Sequence, residues 1–185
     1  MAVIPPTRVT LKDATPISIR VTLPADASAL HAHLLASAHE GEFVVSYPDE
    51  VPSVEELGRR IARHNAAPHD LNLLALSPDG AIVGDLLAHG GTRRRVAHNV
   101  HFGLGVAAAW RDRGLGRSLI GVMLTWARSH PLVRKVSLSV FANNPRAIHL
   151  YQSLGFREDG RRPGEIQTTP GVFVDDVQMH LRVKP

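Results

Sequence analysis

The stretch that decides the fold is residues 106–120, which read V-A-A-A-W-R-D-R-G-L-G-R-S-L-I. It places Arg111, Gly114 and Gly116 in the spacing R-x-x-G-x-G, where an apolar strand-like segment turns into an amphipathic helix. The first backbone N–H groups of a helix have no partner inside the helix and point at whatever lies beyond its end. Glycines let the backbone approach an anion closely there, and arginines add positive charge. The stretch therefore predicts a turn that binds a diphosphate.

Two commoner diphosphate-binding motifs fit this chain less well. A P-loop requires G-x-x-x-x-G-K-[ST], and the chain contains no Gly-Lys-Ser or Gly-Lys-Thr. A dinucleotide fingerprint is nearly present at Gly103, Gly105 and Ala108, but these residues lie within the strand. The acidic ribose ligand expected about 20 residues further on is also missing. For R-D-R-G-L-G alone, a solvated turn that merely starts a helix remains an alternative.

A second motif occupies residues 140–156, which read V-F-A-N-N-P-R-A-I-H-L-Y-Q-S-L-G-F. The pattern R-x-x-G-x-G, followed by a strand and then N-x-x-A-x-x-L-Y-x-x-x-G-F, resembles the GCN5-related N-acetyltransferase (GNAT) superfamily. The matching positions are Arg111, Gly114, Gly116, Asn144, Ala147, Leu150, Tyr151, Gly155 and Phe156. The resemblance covers residues 70–182 well, and the N-terminal third only by length and pattern.

Length and composition predict one domain. With 185 residues and 44% apolar content, the chain is long enough for one sizeable core and short for two. Pro5 and Pro6 block regular structure, so residues 1–13 are predicted to form a flexible lead-in before a single domain over 14–185. No run approaches the roughly 20 apolar residues of a membrane span, and no signal peptide is recognisable. We expect a cytoplasmic enzyme.

The charge and the cysteine count narrow the choice of ligand. The formal net charge of +4 favours anionic ligands, and coenzyme A carries a diphosphate and a ribose phosphate. The basic runs Arg59–Arg60 and Arg93–Arg95 lack interleaved aromatic residues, so we interpret them as solvated faces and expect no nucleic-acid partner. The chain has no cysteine, which excludes disulfides, thiolate metal sites and a cysteine nucleophile. The histidines show no metal-ligand spacing, so no metal is expected.

Hydrophobic periodicity predicts the element order β-α-α-β-β-β-α-β-α-β-β. The segments are strand 17–23, helices 25–38 and 53–66, a hairpin of 71–76 with 81–89, strand 96–106, a helix from the diphosphate turn, strand 136–141, a helix from Pro145 to Gly155, and strands 156–162 and 171–183 around a loop at 163–170. The resemblance implies an α/β (α+β) fold with a mixed, mostly antiparallel central sheet and helices on both faces. It also implies that this sheet is splayed in the middle to admit the cofactor.

The resemblance also implies acetyl-CoA as cosubstrate and direct attack by a primary amine in a ternary complex. An acyl thioester is already activated, so the protein needs only to hold it, polarise its carbonyl and present a neutral amine. Leu104, Gly105 and Val106 are expected to pair with the pantetheine arm. The backbone of the turn is expected to take the pyrophosphate, through Arg111, Asp112, Arg113, Gly114, Leu115, Gly116 and Arg117. Asn144, also a plain N-cap, and Ala147 complete the expected cofactor site.

Two residues are predicted to transfer protons. Tyr151 matches the tyrosine that protonates the departing thiolate in similar enzymes; a buried tyrosine that anchors its helix is the alternative. Many relatives carry a glutamate as general base on the third or fourth strand, whereas strand 96–106 carries His98 and His101, on opposite faces. His101 is closer to the bend at Gly103, and we favour it.

Other polar residues stay open as alternatives to His101. Asp85, Glu40 and Glu42 are the alternatives for the base. Separately, Asp175–Asp176 is an acidic pair that is expected at the rim, where it attracts a cationic amine. An ordinary polar role is the alternative for each of these residues.

Three functions from different classes remain. The first is an acetyl-CoA-dependent N-acetyltransferase acting on a small-molecule or peptide amine, with no membrane partner; a homodimer is compatible with the sequence. The second is a non-catalytic acyl-CoA-binding sensor or partner module, supported by the missing strand carboxylate. The third is a basic nucleic-acid-binding domain. The identity of the amine is not encoded in any motif.

Overall fold

The computed structural model describes residues 4–184, in which one eight-stranded sheet packs against four α-helices. The strands are β1 (Thr7–Thr10), β2 (Pro16–Val21), β3 (Leu71–Leu76), β4 (Ile82–Gly90), β5 (Asn99–Val106), β6 (Lys135–Phe141), β7 (Arg157–Thr169) and β8 (Val172–Arg182). The helices are α1 (Ala27–Glu40), α2 (Val54–Ala66), α3 (Leu115–Ser129) and α4 (Pro145–Ser153). The predicted order is confirmed from β2 onward.

The strands follow the order β1-β2-β3-β4-β5-β6-β8-β7 across the sheet. Every neighbouring pair is antiparallel except β5 and β6, which run parallel. That parallel pairing covers only Asn99, Val100 and His101 against residues 135–137. Since β5 continues to Val106 and β6 to Phe141, the two strands diverge after this point. The predicted mixed, mostly antiparallel sheet with a splay in its middle is confirmed.

Alternation along β3 divides the helices between the two faces of the sheet. Leu73 and Ala75 join the larger core, which contains the buried stripe of α3. Leu74 points the other way, into a smaller core with Leu30 of α1 and Ile61 of α2. Successive side chains of a strand point to opposite faces, so α1 and α2 cover one face and α3 the other.

The helix after the diphosphate turn, α3, has the buried apolar face and the glycine at its start that the sequence predicts. Its apolar residues recur at helical spacing, and Leu115, Leu119, Ile120 and Met123 are all buried in the larger core. Gly114 precedes it as N-cap with a left-handed φ of 93°. At 15 residues, α3 is the longest helix among residues 4–184, and no helix in that range has the length and apolar character to cross a membrane.

Three sequence predictions need correction. Residues 7–10 of the predicted flexible lead-in form β1, because the extended backbone after the two prolines pairs with β2; residues 1–3 lie outside the described residues. Residues 96–98 form a turn, so β5 begins at Asn99. The predicted loop at 163–170 is largely strand, because β7 continues to Thr169 through three register shifts that absorb Pro163 and its neighbours.

Leu74→Ala should lower the free energy of unfolding by about 2–5 kcal/mol, because it leaves a cavity in the small core under α1 and α2. Leu74 is 0% exposed, whereas Leu132 is 50% exposed and gives the matched control Leu132→Ala. Urea unfolding of the three proteins measures the difference. Equal midpoints for the two variants would contradict this description of the small core.

Candidate active site

A cavity of about 870 Å³ occupies the gap between the diverging strands β5 and β6. Its walls come from β4 and β5, from the starts of α3 and α4, from the end of β6, and from α1 with the loop after it. One cavity thus joins the diphosphate turn to the face of the sheet that α1 covers.

The edge of β5 that faces this gap has no strand partner beyond His101. On its other edge, β5 pairs with β4 along its whole visible course, from Val100 with Gly90 to Val106 with Gly84. A free strand edge presents N–H and C=O groups that an extended ligand can pair with. The predicted residues Leu104, Gly105 and Val106 all line the cavity, and the backbone N–H groups of Leu104 and Val106 face this edge, whereas that of Gly105 faces β4.

The residue opposite position 105 on β4 explains why this position is a glycine. Gly105 pairs with Asp85, and a Cβ added to Gly105 would collide with the Asp85 carboxylate. A side chain at this position would therefore push Asp85 away from the strand. Gly103, by contrast, has open space where its Cβ would be, so packing does not require a glycine there.

The diphosphate turn contains two residues with a positive φ. Gly114 is left-handed, and Asp112 has a φ of 62°, which is uncommon for a residue with a side chain. These residues turn the chain so that Gly114, Leu115, Gly116 and Arg117, with the first free N–H groups of α3, line the cavity. A Cβ on Gly116 would lie 3.3 Å from Leu150 Cδ2 and 3.4 Å from Leu104 Cδ2, so glycine permits close packing of α3 on β5 and α4.

The arginines near the turn have different partners. Arg111 lines the cavity, donates from Nε to the Val106 carbonyl at 3.0 Å, and forms an ion pair with Glu40 at the end of α1. Arg117 donates to Ser153 Oγ at 2.6 Å. Arg146 of α4 lies 3.3 Å from Asp112 Oδ2.

Arg113 is the one residue of the predicted diphosphate turn, 111–117, that does not line the cavity, and the part predicted for its backbone stays a prediction. Its guanidinium forms an ion pair with Asp13 and lies 4.5 Å from the centroid of the Trp110 ring. The acidic partner in the β1–β2 turn holds this side chain on the outer side of the loop. Its backbone carbonyl accepts from the Lys12 N–H at 3.1 Å.

Lys12 is a site residue that the sequence did not reveal. It belongs to the segment interpreted as a flexible lead-in, yet its side chain lines the cavity beside Gly114. Its position depends on the pairing of β1 with β2, which brings residue 12 to the diphosphate turn about 100 residues later. No local pattern signals such a contact.

Tyr151 lies at the floor of the same cavity. Its ring packs edge-on against Phe102 and Phe156, with centroids 6.1 and 6.0 Å away, and the residue is only 8% exposed. Burial raises the pKa of the Tyr151 phenol to about 12. At neutral pH the group is therefore a neutral O–H donor next to the free edge of β5.

His101 marks the point where β5 and β6 separate. It lines the cavity, its Nδ1 lies 3.4 Å from Ser137 Oγ, and its ring centroid lies 5.7 Å from that of His89. Burial, followed by the His89 charge and that of Arg162, lowers the pKa of His101, while Asp176 acts in the opposite direction. The result favours a neutral imidazole, which accepts a proton readily.

Asn144 is the N-cap of α4, as predicted. Its Oδ1 accepts from the Ala147 N–H at 3.0 Å, and Asn144 is 8% exposed. Both Asn144 and Ala147 line the cavity, so the cap also places them beside it.

The other candidates for a base fall into three groups. Asp85 and Glu42 line the cavity, whereas Glu40 is paired with Arg111. His98 lies in the turn before β5 and not on the strand. The prediction of an acidic pair at the rim is wrong for Asp176, which lies within β8 and is only 6% exposed.

The profile of the Acetyltransferase (GNAT) family matches residues 32–156. This segment contains both sequence motifs and most of the cavity walls. The chain belongs to the GNAT acetyltransferase family. This confirms the family inferred from the motifs and agrees with the predicted class of enzyme, the acyltransferases.

Known GNAT proteins resemble this chain in sequence and in fold. The L-amino acid N-acetyltransferase AaaT of Escherichia coli is 33% identical over 82 residues, which are 44% of this chain and 51% of AaaT. A GNAT acetyltransferase of Streptococcus pneumoniae superposes with a TM-score of 0.86 at 27% identity, covering 90% of this chain and 99% of its own. YncA of Salmonella typhimurium, solved with acetyl-CoA, has a TM-score of 0.80 at 18% identity, with 91% and 95% coverage.

Gly114→Ala should lower the free energy of unfolding of this GNAT protein by about 1–2 kcal/mol, because alanine is strained at a left-handed φ. Gly121→Ala is the matched control in the interior of α3, where a Cβ meets open space. Alanine in a helix interior should raise the stability by about 0.5–1 kcal/mol. Urea unfolding tests the pair, and an unchanged midpoint for Gly114→Ala would contradict the geometry of the turn.

Proposed function

We propose that this chain transfers the acetyl group of acetyl-CoA to a primary amine by direct attack in a ternary complex. One observation carries the proposal: the free edge of β5 leads from the start of α3, with its free N–H groups, to Tyr151 and His101 within one cavity. A cofactor with a diphosphate at one end and an extended, amide-containing arm ending in a thioester fits this arrangement. The diphosphate matches the start of α3, the arm matches the edge of β5, and the thioester matches the position of Tyr151 and His101. The YncA structure with acetyl-CoA and the activity named for AaaT support it.

The cofactor is held mainly by backbone groups. Leu104, Gly105 and Val106 pair with the pantetheine arm in the manner of a strand, and an amide there polarises the thioester carbonyl. The pyrophosphate lies against the turn at Arg111, Asp112, Gly114, Leu115, Gly116 and Arg117, with Asn144 and Ala147 at its side. Lys12 adds a cation that compensates for the outward position of Arg113.

His101 and Tyr151 move the protons in this reaction. The substrate ammonium gives a proton to His101, directly or through water, and the neutral nitrogen attacks the thioester carbon. A C–N bond forms as the C–S bond breaks, and the departing sulfur takes the Tyr151 proton. The nitrogen then loses its remaining extra proton, directly or through water, to the Tyr151 phenolate, which restores the phenol, while His101 releases its proton to solvent. Burial keeps both side chains neutral beforehand, so each starts in the protonation state that its step requires.

The decisive experiment measures thiol release from acetyl-CoA in the presence of different amines. L-amino acids come first because AaaT is named for them, followed by simple amines, polyamines and short peptides. Amine-dependent release with formation of the acetylated product is the expected result. Tight binding of acetyl-CoA without release by any amine would instead favour the acyl-CoA sensor.

Tyr151→Phe should lower kcat by about 10²-fold or more, because general acids of this kind contribute on that scale. The dissociation constant of acetyl-CoA should stay within about twofold, since the ring keeps its packing. Tyr47→Phe is the control, because Tyr47 is 57% exposed and lies outside the cavity lining. Equal kcat values for wild type and Tyr151→Phe would remove the phenol from the mechanism.

The pH dependence of kcat/KM should show an acidic limb below the usual histidine pKa of 6.5, because burial lowers the pKa of His101. Activity is lost as the pH falls through the lowered pKa of His101, since a protonated imidazole accepts no further proton. The raised pKa of Tyr151, about 12, keeps the phenol protonated to high pH.

His101→Gln should remove the acidic limb and lower the rate throughout. His98→Gln, in the turn before β5, should leave the profile of the wild type intact. An acidic limb that persists unchanged in His101→Gln would assign it to another group.

A further inference from the structure

Charge is divided along the cavity. The lysine and arginine residues of its lining all lie at the diphosphate end, near the starts of α3 and α4: Lys12, Arg111, Arg117 and Arg146. The lining carboxylate at that end, Asp112, is paired with Arg146. On the face covered by α1, the lining carboxylates are Asp85 and Glu42, and the basic side chains there are His89 and His101. Arg111 also reaches the end of α1, where it is paired with Glu40. The cofactor end favours anions, whereas Asp85 and Glu42, which form no ion pair with lysine or arginine within residues 4–184, favour a cation on the α1 side.

Asp85 is the carboxylate that the fold holds most firmly on this side. It lies on β4 directly against the backbone of Gly105, in a wall that also contains Leu34 and Leu87. Its side chain is 20% exposed, so most of the carboxylate has lost water. A desolvated carboxylate is costly unless hydrogen bonds or a cation compensate for it.

His33 provides only part of that compensation. It is buried on α1 with a side chain 5% exposed, and its Nε2 donates to Oδ1 of Asp85 at 3.1 Å. Within residues 4–184 this is the only hydrogen bond of the Asp85 side chain. Oδ2 therefore has no hydrogen-bond partner among these residues, and Asp85 lines the cavity. The buried histidine fixes the direction of the carboxylate and leaves one oxygen available to a ligand.

Asp85 and His101 are separated along the same face of the sheet. The register pairs Asp85 with Gly105 and His89 with His101, so both side chains point to the α1 side. Four residues of strand correspond to about 13 Å between their backbone positions. The amine that reacts at His101 is therefore too far from Asp85 to be the group that neutralises it.

We propose that Asp85, oriented by His33, binds a second cationic group of the acceptor, at the end of the molecule away from the amine that is acetylated. The preferred substrates are then diamines, polyamines or basic amino acids, and not amines with a purely apolar body. This inference rests on the proposed acetyltransferase function and specifies its substrate class.

Two other roles of Asp85 make different predictions. If Asp85 only ties α1 to β4 through His33, its loss lowers stability and affects all acceptors alike. If it accepts from the pantetheine amide, its loss weakens acetyl-CoA binding and again affects all acceptors alike. Only a contact with the acceptor's second charge changes the preference between two acceptors that differ in that charge.

The test compares matched acceptors with and without the distal ammonium group: lysine against norleucine, and 1,6-diaminohexane against hexylamine. In at least one of the two pairs, the kcat/KM of the wild type should be about tenfold or more higher for the acceptor that carries the distal ammonium group. This is the scale of one charge-assisted contact. In Asp85→Asn that preference should fall to about twofold or less, because the distal ammonium group loses its charged partner.

Asp70→Asn is the matched control, because Asp70 is also paired with a histidine, His64 at 2.7 Å, but lies outside the cavity lining. Its preference should equal that of the wild type. The proposal would be overturned if the wild type preferred neither acceptor with a distal ammonium group, or if the preference survived in Asp85→Asn. A preference lost in Glu42→Gln and retained in Asp85→Asn would also overturn it.

Calorimetric titration of the same acceptors into the CoA-bound protein separates this proposal from the function on which it rests. If the acceptors with a distal ammonium group bind in a manner that depends on Asp85 but are not turned over, the site is supported and the acetyltransferase is refuted. Turnover without an Asp85-dependent preference would support the enzyme and refute the site. Neither binding nor turnover with any acceptor would refute both.

Discussion

The structure depends on one incomplete strand pairing. β5 and β6 form the only parallel pair among the strands of residues 4–184, and their contact ends after three residue pairs. Beyond it, the free edge of β5 must find another partner, because unpaired backbone groups that leave water are costly. The start of α3 adds free N–H groups at the same opening. A flat, fully paired sheet would have neither the gap nor the cavity.

Side chains around that gap are tuned by burial more than by charge pairs. Packing against Phe102 and Phe156 raises the pKa of Tyr151, and partial burial lowers the pKa of His101. Both shifts favour the uncharged form, as expected when water is removed from an ionisable group. In the proposed reaction, this gives a neutral acid for the departing thiolate and a neutral base for an ammonium group that must lose its proton.

The sequence predicted those parts of the fold and site that depend on local spacing. The turn at Gly114, the cap at Asn144 and the tyrosine at 151 each belong to one short motif, and the structure brings them to one cavity. Their roles in catalysis remain proposals.

Residues whose positions depend on distant contacts escaped prediction. Lys12 reaches the site only through the pairing of β1 and β2, and Arg113 is held outside by Asp13, which comes from the same segment. The pair of buried His33 and partly exposed Asp85 joins residues 52 apart, so neither residue alone indicates the other. Histidine on a helix and aspartate on a strand carry no pattern that links them.

The most direct test of the central claim is hydrogen exchange at the amides of β5 with and without acetyl-CoA. If the cofactor arm completes the free edge, exchange should slow at Leu104 and Val106, whose N–H groups face the gap, and at the first turn of α3, while β3 should stay unchanged. Slower exchange at neither segment, despite saturating acetyl-CoA, would show that the cofactor does not bind along β5 and would contradict this account of the fold.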